Sequence, residues 1–239
     1  ANLSLEEMVS QLSSQSPAID RLGIPAYNWL NDALHGVQTA NATSKSTMFP
    51  DGCGLGATWS IKTLRQVGAV ISTEARGWKN TLTLHGNRGQ GSIWDNVGIT
   101  LYTPNINVVR DPRWGRAMEV YGEDPEHMSR LAVEMVRGVQ EGFEEEKGAE
   151  KDSHILLAAA TCKHFIAYHQ ETFPADRSVI SLNITNREMW ESYMPPFEAC
   201  VREAKAGQVM CSFNLMNGVP TCADGGLLTE VLRNQWGFN

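Results

Sequence analysis

Apolar residues recur at helical spacing through Ile61, Leu64, Val67, Ala69, Ile71 and Ala75, which predicts a helix over Ser60 to Lys79 with one core-facing side. Asp124-Pro125 reads as a helix start, with Asp as N-cap and Pro at the first helical position. Leu131, Val133, Met135, Val136 and Val139 carry that helix to near Gly142. Two capping-box patterns, Ser4 with Glu7 and Thr185 with Glu188, open further helices. The first covers Leu3 to Leu12; the second is interrupted at Pro195-Pro196 and restarts through Phe197 to Ala204. Asp224 caps a last helix over Leu227 to Asn234. Between these segments lie short apolar runs of strand character: Gly98 to Val109, Ile155 to Cys162 and Gln208 to Phe213. Pro25 to Gly56 is rich in Gly, Asn, Asp, Thr and Pro and suits strands alternating with long loops. Strand and helix alternate throughout with no fixed-period repeat, so the fold class is α/β, either a β/α barrel or a doubly wound sheet.

The run ILLAAATC is the most informative strand, because it delivers Lys163 and His164 at its C-terminal end. Continuous apolar runs mark strands covered on both faces, and in parallel α/β architectures the C-terminal ends of strands line the ligand site. Consecutive strand residues face opposite ways, so bringing both into one pocket requires a local distortion of the backbone. Other polar groups follow other strand-like runs: Asn31, Asp32, His35 and Gly36; then Arg110, Asp111, Arg113 and Arg116; then Asn214. Carboxylate, guanidinium, ammonium and imidazole converging on one mouth suit a ligand covered in hydroxyls. They suit a phosphate less, since Asp32 would repel it.

Composition narrows the class. At 239 residues, 42% hydrophobic and 20% charged, the chain holds one large domain or two small ones. A net charge of −7 with scattered basic residues argues against nucleic acid, and the longest apolar run falls far short of the roughly 20 residues of a membrane helix. The glycine-rich stretch His85 to Gly91 has the wrong glycine order for a dinucleotide loop, so no cofactor is implied. The five cysteines show no metal-ligand spacing, and no metal site is expected. Cys211 and Cys222 flank a turn-rich segment and are a candidate disulfide, the alternative being two small buried apolar residues. Asn2, Asn41 and Asn183 begin acceptor sequons for N-glycosylation. The charged run Glu144 to Asp152 reads as a solvated connection.

Four long motifs, RLGIPAYNWLNDALHG, TPNINVVRDPRWGRAMEVYGEDP, CKHFIAYHQE and YMPPFEACVREAKAGQVMCSFNLMNGVPTCADGGLLTEVLRNQWGF, occur in one order along the chain. In this the chain resembles the N-terminal barrel domain of glycoside hydrolase family 3, the β-glucosidase and β-xylosidase family. The resemblance implies a (β/α)8 TIM-barrel-like domain over 1–239, incomplete at its C-terminal end. It implies a retaining, exo-acting β-glycosidase, secreted or lumenal, acting on a β-linked oligosaccharide or aryl glycoside. It further implies that Asp32, Arg116, Lys163 and His164 bind the hydroxyls of the non-reducing sugar in the −1 subsite. Phe213 stands where the family usually has a Tyr beside the nucleophile, so the ring is kept and the hydroxyl lost. Asp32 stands where the xylosidase-like branch often has Glu, and the shorter acid leaves room for a hydroxymethyl group. Around these residues, Asp111 and Arg113 read as an internal salt bridge and His35 as a loop-fixing hydrogen-bonder. Trp114 reads either as a sugar platform or as packing beneath its loop.

Retaining glycosidases need two carboxyl groups about 5 to 5.5 Å apart. The resemblance places the nucleophilic Asp beyond Asn239 and the acid/base Glu in a later domain, so no catalytic residue is expected within the chain and turnover by it alone is not expected. Two alternatives stand beside a glycosidase fragment: a non-catalytic sugar-binding or regulatory module, and an incomplete barrel that persists beside a partner chain. An open barrel edge predicts self-association.

Overall fold

The computed structural model describes residues 2–38, 45–84, 98–143, 155–172 and 175–239. Asn41, the His85 to Gly91 stretch and the charged run up to Asp152, apart from what the sequence says of them, lie outside the described residues.

Helix α1 (Leu5–Ser10) opens with a complete capping box, in which Ser4 Oγ accepts from the Glu7 amide and the Glu7 carboxylate accepts from the Ser4 amide. No residue of α1 is buried. A two-residue antiparallel pair, β1 (Gln15–Ser16) with β2 (Tyr27–Asn28), closes the N-terminal excursion. Short α2 (Gly52–Gly56) precedes α3 (Ile61–Leu84), which extends beyond the end predicted from its apolar positions. Strand β3 (Thr100–Leu101) is much shorter than the run from Gly98 to Val109, because polar Asn105 and Asn107 divert the chain into bridges and side-chain bonds. Helix α4 (Pro125–Glu141) is N-capped by Asp124, whose Oδ1 accepts from the His127 amide at 2.7 Å. Strand β4 (Ala159–Phe165) is buried on both faces from Ala160 onward.

After β5 (Ser181–Leu182) comes α5 (Asn186–Glu188), capped by the Thr185 and Glu188 box. The chain does not break at Pro195-Pro196. A π-helical turn, Met189–Tyr193, leads straight into α6 (Met194–Arg202), with the Met194 amide bonding to Met189 O and the prolines in the first turn of the new helix. The wide turn takes up the loss of the proline N–H groups, which is why the helix continues where an interruption was expected. Strands β6 (Gln208–Cys211), β7 (Leu215–Met216) and β8 (Val219–Pro220) follow, and the described chain ends with a π-helical segment, Gly226–Gln235. Asp224 Oδ1 accepts from the Leu227 amide at its start.

The site is positioned by a parallel arc. Tyr102 N donates to Asn31 O at 2.8 Å, β3 pairs parallel with β4, and β4 pairs parallel with β6. Four segments thus lie side by side in chain order, each followed by a helix, and α3, α4 and α6 pack in sequence on the outside. This is the β/α repeat of a barrel; among the described residues the arc does not close, and β6 is its half-buried edge. Gly68 and Gly138 let α3 and α4 meet backbone to backbone: a Cβ at Gly138 would collide with Arg65 O. Arg65, 4% exposed, completes the clip by donating from Nε to Gly142 O at 3.0 Å and from Nη2 to Glu141 at 2.9 Å. A disulfide between Cys162 and Cys200 ties β4 to α6 in the core. Cys211 and Cys222 form a second disulfide, and Cys53 is free and exposed. Among the described residues no helix is long and apolar enough to cross a membrane.

Candidate saccharide-binding site

Lys163 and His164 sit at the C-terminal end of β4, where the β4–β6 register shifts between Lys163 and Phe165 and the Lys163-His164 and Phe165-Ile166 peptides are cis. Both side chains reach the same charged cluster. Lys163 Nζ lies 3.5 Å from Asp32 Oδ1 and 5.8 Å from the Tyr102 ring centroid, with its side chain 4% exposed. Burial lowers the Lys163 pKa; the Arg116 charge acts the same way, and the Asp32 and Glu119 carboxylates oppose both.

His164 is fixed by Asn107. The Asn107 amide nitrogen donates to His164 O at 2.8 Å, which turns its Oδ1 toward the His164 amide at 2.9 Å and Nδ1 at 3.0 Å. Nδ1 therefore carries the ring proton, and Nε2 accepts from Arg116 Nη1 at 3.2 Å. Burial, then the Arg116 and Lys163 charges, hold His164 well below its ordinary value of 6.5, so the ring is neutral in this network.

Arg116 is held from its other side by Glu119, Nε to Oε1 at 2.8 Å and Nη2 to Oε2 at 2.6 Å. Glu119 Oε2 also accepts from Asn105 Nδ2 at 3.0 Å. Burial raises the Glu119 pKa, but the Arg116 bonds and charge outweigh it and the net shift is downward. With both oxygens engaged, Glu119 anchors Arg116.

Asp32, Arg116, Lys163 and Glu119 line one cavity of about 680 Å³, whose remaining wall is built by residues 34–38 with Lys45, Ser46 and Met48. Asp32 is the exposed member, its side chain 46% accessible with Lys163 as its ion-pair partner, so its oxygens are available to accept from a ligand. The cavity thus combines a carboxylate acceptor, the buried Lys163 and half-buried Arg116 as cationic donors, and a mixed wall in which Leu34, Val37 and Met48 stand among His35, Gln38, Lys45 and Ser46, a set of groups that can meet the hydroxyl edge and C–H face of a sugar ring. His164 stands behind Arg116 and does not line this cavity. Phe213 lies to one side: its ring is 6.0 Å from His164 and from Tyr168, and the Arg177 guanidinium covers it at 4.3 Å.

Neighbouring residues resolve several open readings. Asp111 and Arg113 form a salt bridge, Nη2 to Oδ2 at 2.5 Å. His35 joins Phe49 O at 3.1 Å and Asp51 at 3.3 Å and fixes its loop. Trp114 is 5% exposed and packs edge-on against Tyr168 at 5.8 Å, beneath its loop, and offers no platform. Asn2 and Asn183 are exposed. Among the described residues no group of three or more His, Cys, Asp or Glu side chains is placed to hold a metal ion. Asn107 and Tyr168 were not anticipated beside these residues. A signal for the first was present: Asn105 and Asn107 interrupt an apolar strand-like run, and buried amides there require partners.

An open arc of parallel strands, flanked by helices and carrying a charged cavity at its strand ends, is the layout of a β/α-barrel domain with its candidate site in the usual place. Residues 92–239 match the family described as the glycosyl hydrolase family 3 N terminal domain, and the chain belongs to that family. It is 41% identical over 245 residues to the probable exo-1,4-beta-xylosidase of Aspergillus terreus, covering 99% of this chain and 29% of the relative. Probable beta-D-xylosidase 7 of Arabidopsis thaliana is 40% identical over 247 residues, covering 100% and 30%. Among solved structures, a GH3 exo-beta-xylosidase in complex with a xylobiose aziridine activity-based probe matches with a TM-score of 0.85 and 32% identity, covering 99% of this chain and 29% of that one. The GH3 beta-glucosidase of Bifidobacterium adolescentis matches with a TM-score of 0.77 and 30% identity, covering 100% and 30%. The chain therefore spans under a third of the length of these relatives.

Proposed function

We propose that this chain is the glycone-binding part of a retaining, exo-acting β-glycosidase of the β-xylosidase or β-glucosidase type. Its catalytic carboxylates belong to polypeptide outside the chain. The observation that carries the reading is the Asp32–Lys163 pair at 3.5 Å, set at the end of β4 beside the Glu119-anchored Arg116. Asp32 accepts from sugar hydroxyls, while Lys163 and Arg116 donate to the hydroxyl oxygens. His164 keeps Arg116 in place through a neutral ring, and whatever contact it makes with sugar requires Arg116 to release Nε2. Phe213 packs at the edge of the site under Arg177, where a ring without a hydroxyl can serve as an apolar border.

The substrate class is a β-linked oligosaccharide or aryl glycoside with a terminal pentose or hexose, in keeping with the substrates named for the relatives. Two disulfides in 239 residues support folding in an oxidising compartment, and so a secreted or lumenal site of action. Self-association of the isolated chain through the β6 edge follows from the open arc. The test is hydrolysis of p-nitrophenyl β-xyloside and β-glucoside by this chain and by the native polypeptide that carries it, extended through the remainder of a family-length protein. Turnover confined to the extended protein is the expected result. Turnover by residues 1–239 alone would show that a carboxylate already present does the chemistry.

A further inference from the structure

Asn105 and Asn107 lie on the segment after β3, and both are buried, at 1% and 2% exposure. Asn105 Oδ1 accepts from the Asn107 backbone amide at 3.2 Å, and Asn105 Nδ2 donates to Glu119 Oε2 at 3.0 Å. Asn107 Oδ1 meets His164 Nδ1 at 3.0 Å, and His164 Nε2 meets Arg116 Nη1 at 3.2 Å. With the Arg116–Glu119 pair these bonds close on themselves: Asn105 to Glu119, to Arg116, to His164, to Asn107 and back to Asn105.

One contact sets the direction of this ring of bonds. His164 O can only accept, so the Asn107 side-chain nitrogen must face it, at 2.8 Å, and Asn107 Oδ1 must face the imidazole. Because Oδ1 can only accept in its turn, the proton sits on Nδ1 and Nε2 is left as the acceptor that a guanidinium needs. The opposite tautomer would set one N–H against another at the Arg116 contact. Arg116 is thereby held through Nε, Nη1 and Nη2, with its guanidinium on the cavity wall. Among the described residues the charges that bear on His164 are those of Arg116, Lys163 and Arg177, all cations. Its other neighbours are the rings of Tyr168 at 5.0 Å and Phe213 at 6.0 Å, so none of these groups would hold an imidazolium.

We propose that Asn107 is a positioning residue of the saccharide site: it fixes the tautomer of His164 and, through it, the orientation in which Arg116 meets a sugar. The inference rests on the saccharide reading of the cavity, and it concerns a buried residue that does not line that cavity.

The test uses the native polypeptide carrying this chain, isotope-labelled in histidine, and an Asn107→Asp variant. In the unmutated protein, NMR of the His164 ring nitrogens is expected to show Nδ1 protonated and Nε2 unprotonated, a readout that does not depend on the variant folding. Asn107→Asp keeps an acceptor toward Nδ1 and adds a negative charge, which favours an imidazolium whose Nε2–H faces Arg116. Its affinity for xylose or glucose, measured by calorimetry, is expected to be about tenfold below that of the unmutated protein at about pH 5 and within about twofold of it at about pH 8. A deficit of equal size at both pH values is what a purely structural role would give, and it would overturn the inference. So would a native ring with its proton on Nε2. Either result leaves the saccharide reading in place, whereas absence of binding of both sugars by the unmutated protein would overturn that reading and the role of Asn107 with it.

Discussion

Replacing Glu119 with Gln preserves shape and removes the charge that Arg116 faces. In the native protein Arg116 makes two bonds to this carboxylate, at 2.8 and 2.6 Å, with the two side chains 17% and 20% exposed. A hydrogen bond to a charged group contributes about 1.5–3 kcal/mol, and two bonds within one pair do not add in full. The pair is too buried to be screened like a surface bridge, and its loss strands the Arg116 cation, so Glu119→Gln is expected to cost about 2–3 kcal/mol. A second effect has a pH signature. Glu119 raises the Lys163 pKa, and without it only Asp32 opposes the effects of burial and of the Arg116 charge, so the Lys163 pKa falls further in the folded state. A base whose folded pKa is depressed destabilises the fold while protonated and ceases to do so above its unfolded value. The deficit of the variant should therefore shrink as pH rises toward the ordinary lysine value of 10.5. Urea unfolding followed by tryptophan fluorescence at several pH values reads both quantities. A loss below about 0.5 kcal/mol, the range of ordinary surface substitutions, would refute the assignment of Glu119 as the anchor of Arg116.

Burial holds His169 down to about 4, and His164 lies well below its ordinary 6.5, so the unfolded chain binds protons that the folded one does not. Stability should fall as pH drops from 6.5 to 4, with His169 contributing up to about 3 kcal/mol; a His169→Gln variant should melt with a flatter pH dependence over that window, and an unchanged slope would contradict the assignment. The Cys211–Cys222 disulfide closes a loop of sequence separation 11, and replacing both residues with Ala is expected to cost about 3 kcal/mol in denaturant unfolding; a loss below about 1 kcal/mol would show that the loop is held by its other bonds. Phe213→Leu removes the ring beneath Arg177 at 4.3 Å and should cost about 0.5–1 kcal/mol, whereas an effect above about 2 kcal/mol would mean that the ring is a core element.

Helix α4 and the approximate strand–helix order were legible because their signals are local: a cap, a first-turn proline and a period of apolar positions. The Lys163-His164 pair was legible because two polar residues ending a buried run carry a desolvation cost that a functional site can explain. What escaped depended on partners distant in the chain. Asn107 reaches His164 across 57 residues, and Cys162 meets Cys200 only because β4 and α6 pack together. The π-helical turn before Pro195 escaped because proline's lost amide can be absorbed by a wider turn, and only the packing of α6 against α4 requires the helix to go on. His164 is counted among the sugar-binding residues by what the family resemblance implies. Its place behind Arg116 depends on Asn107 and on the Glu119 anchor, neither of which spacing reveals.

Asp32 and Lys163 are proposed to form a saccharide-binding couple. The most direct measurement is an isotope-detected NMR titration of the chain with xylose and glucose, repeated on Asp32→Asn. The unmutated chain should bind one of the two sugars saturably, and Asp32→Asn should weaken that binding by about tenfold or more, the loss of one charge-assisted hydrogen bond. Saturable binding of the same strength in both proteins would contradict the claim.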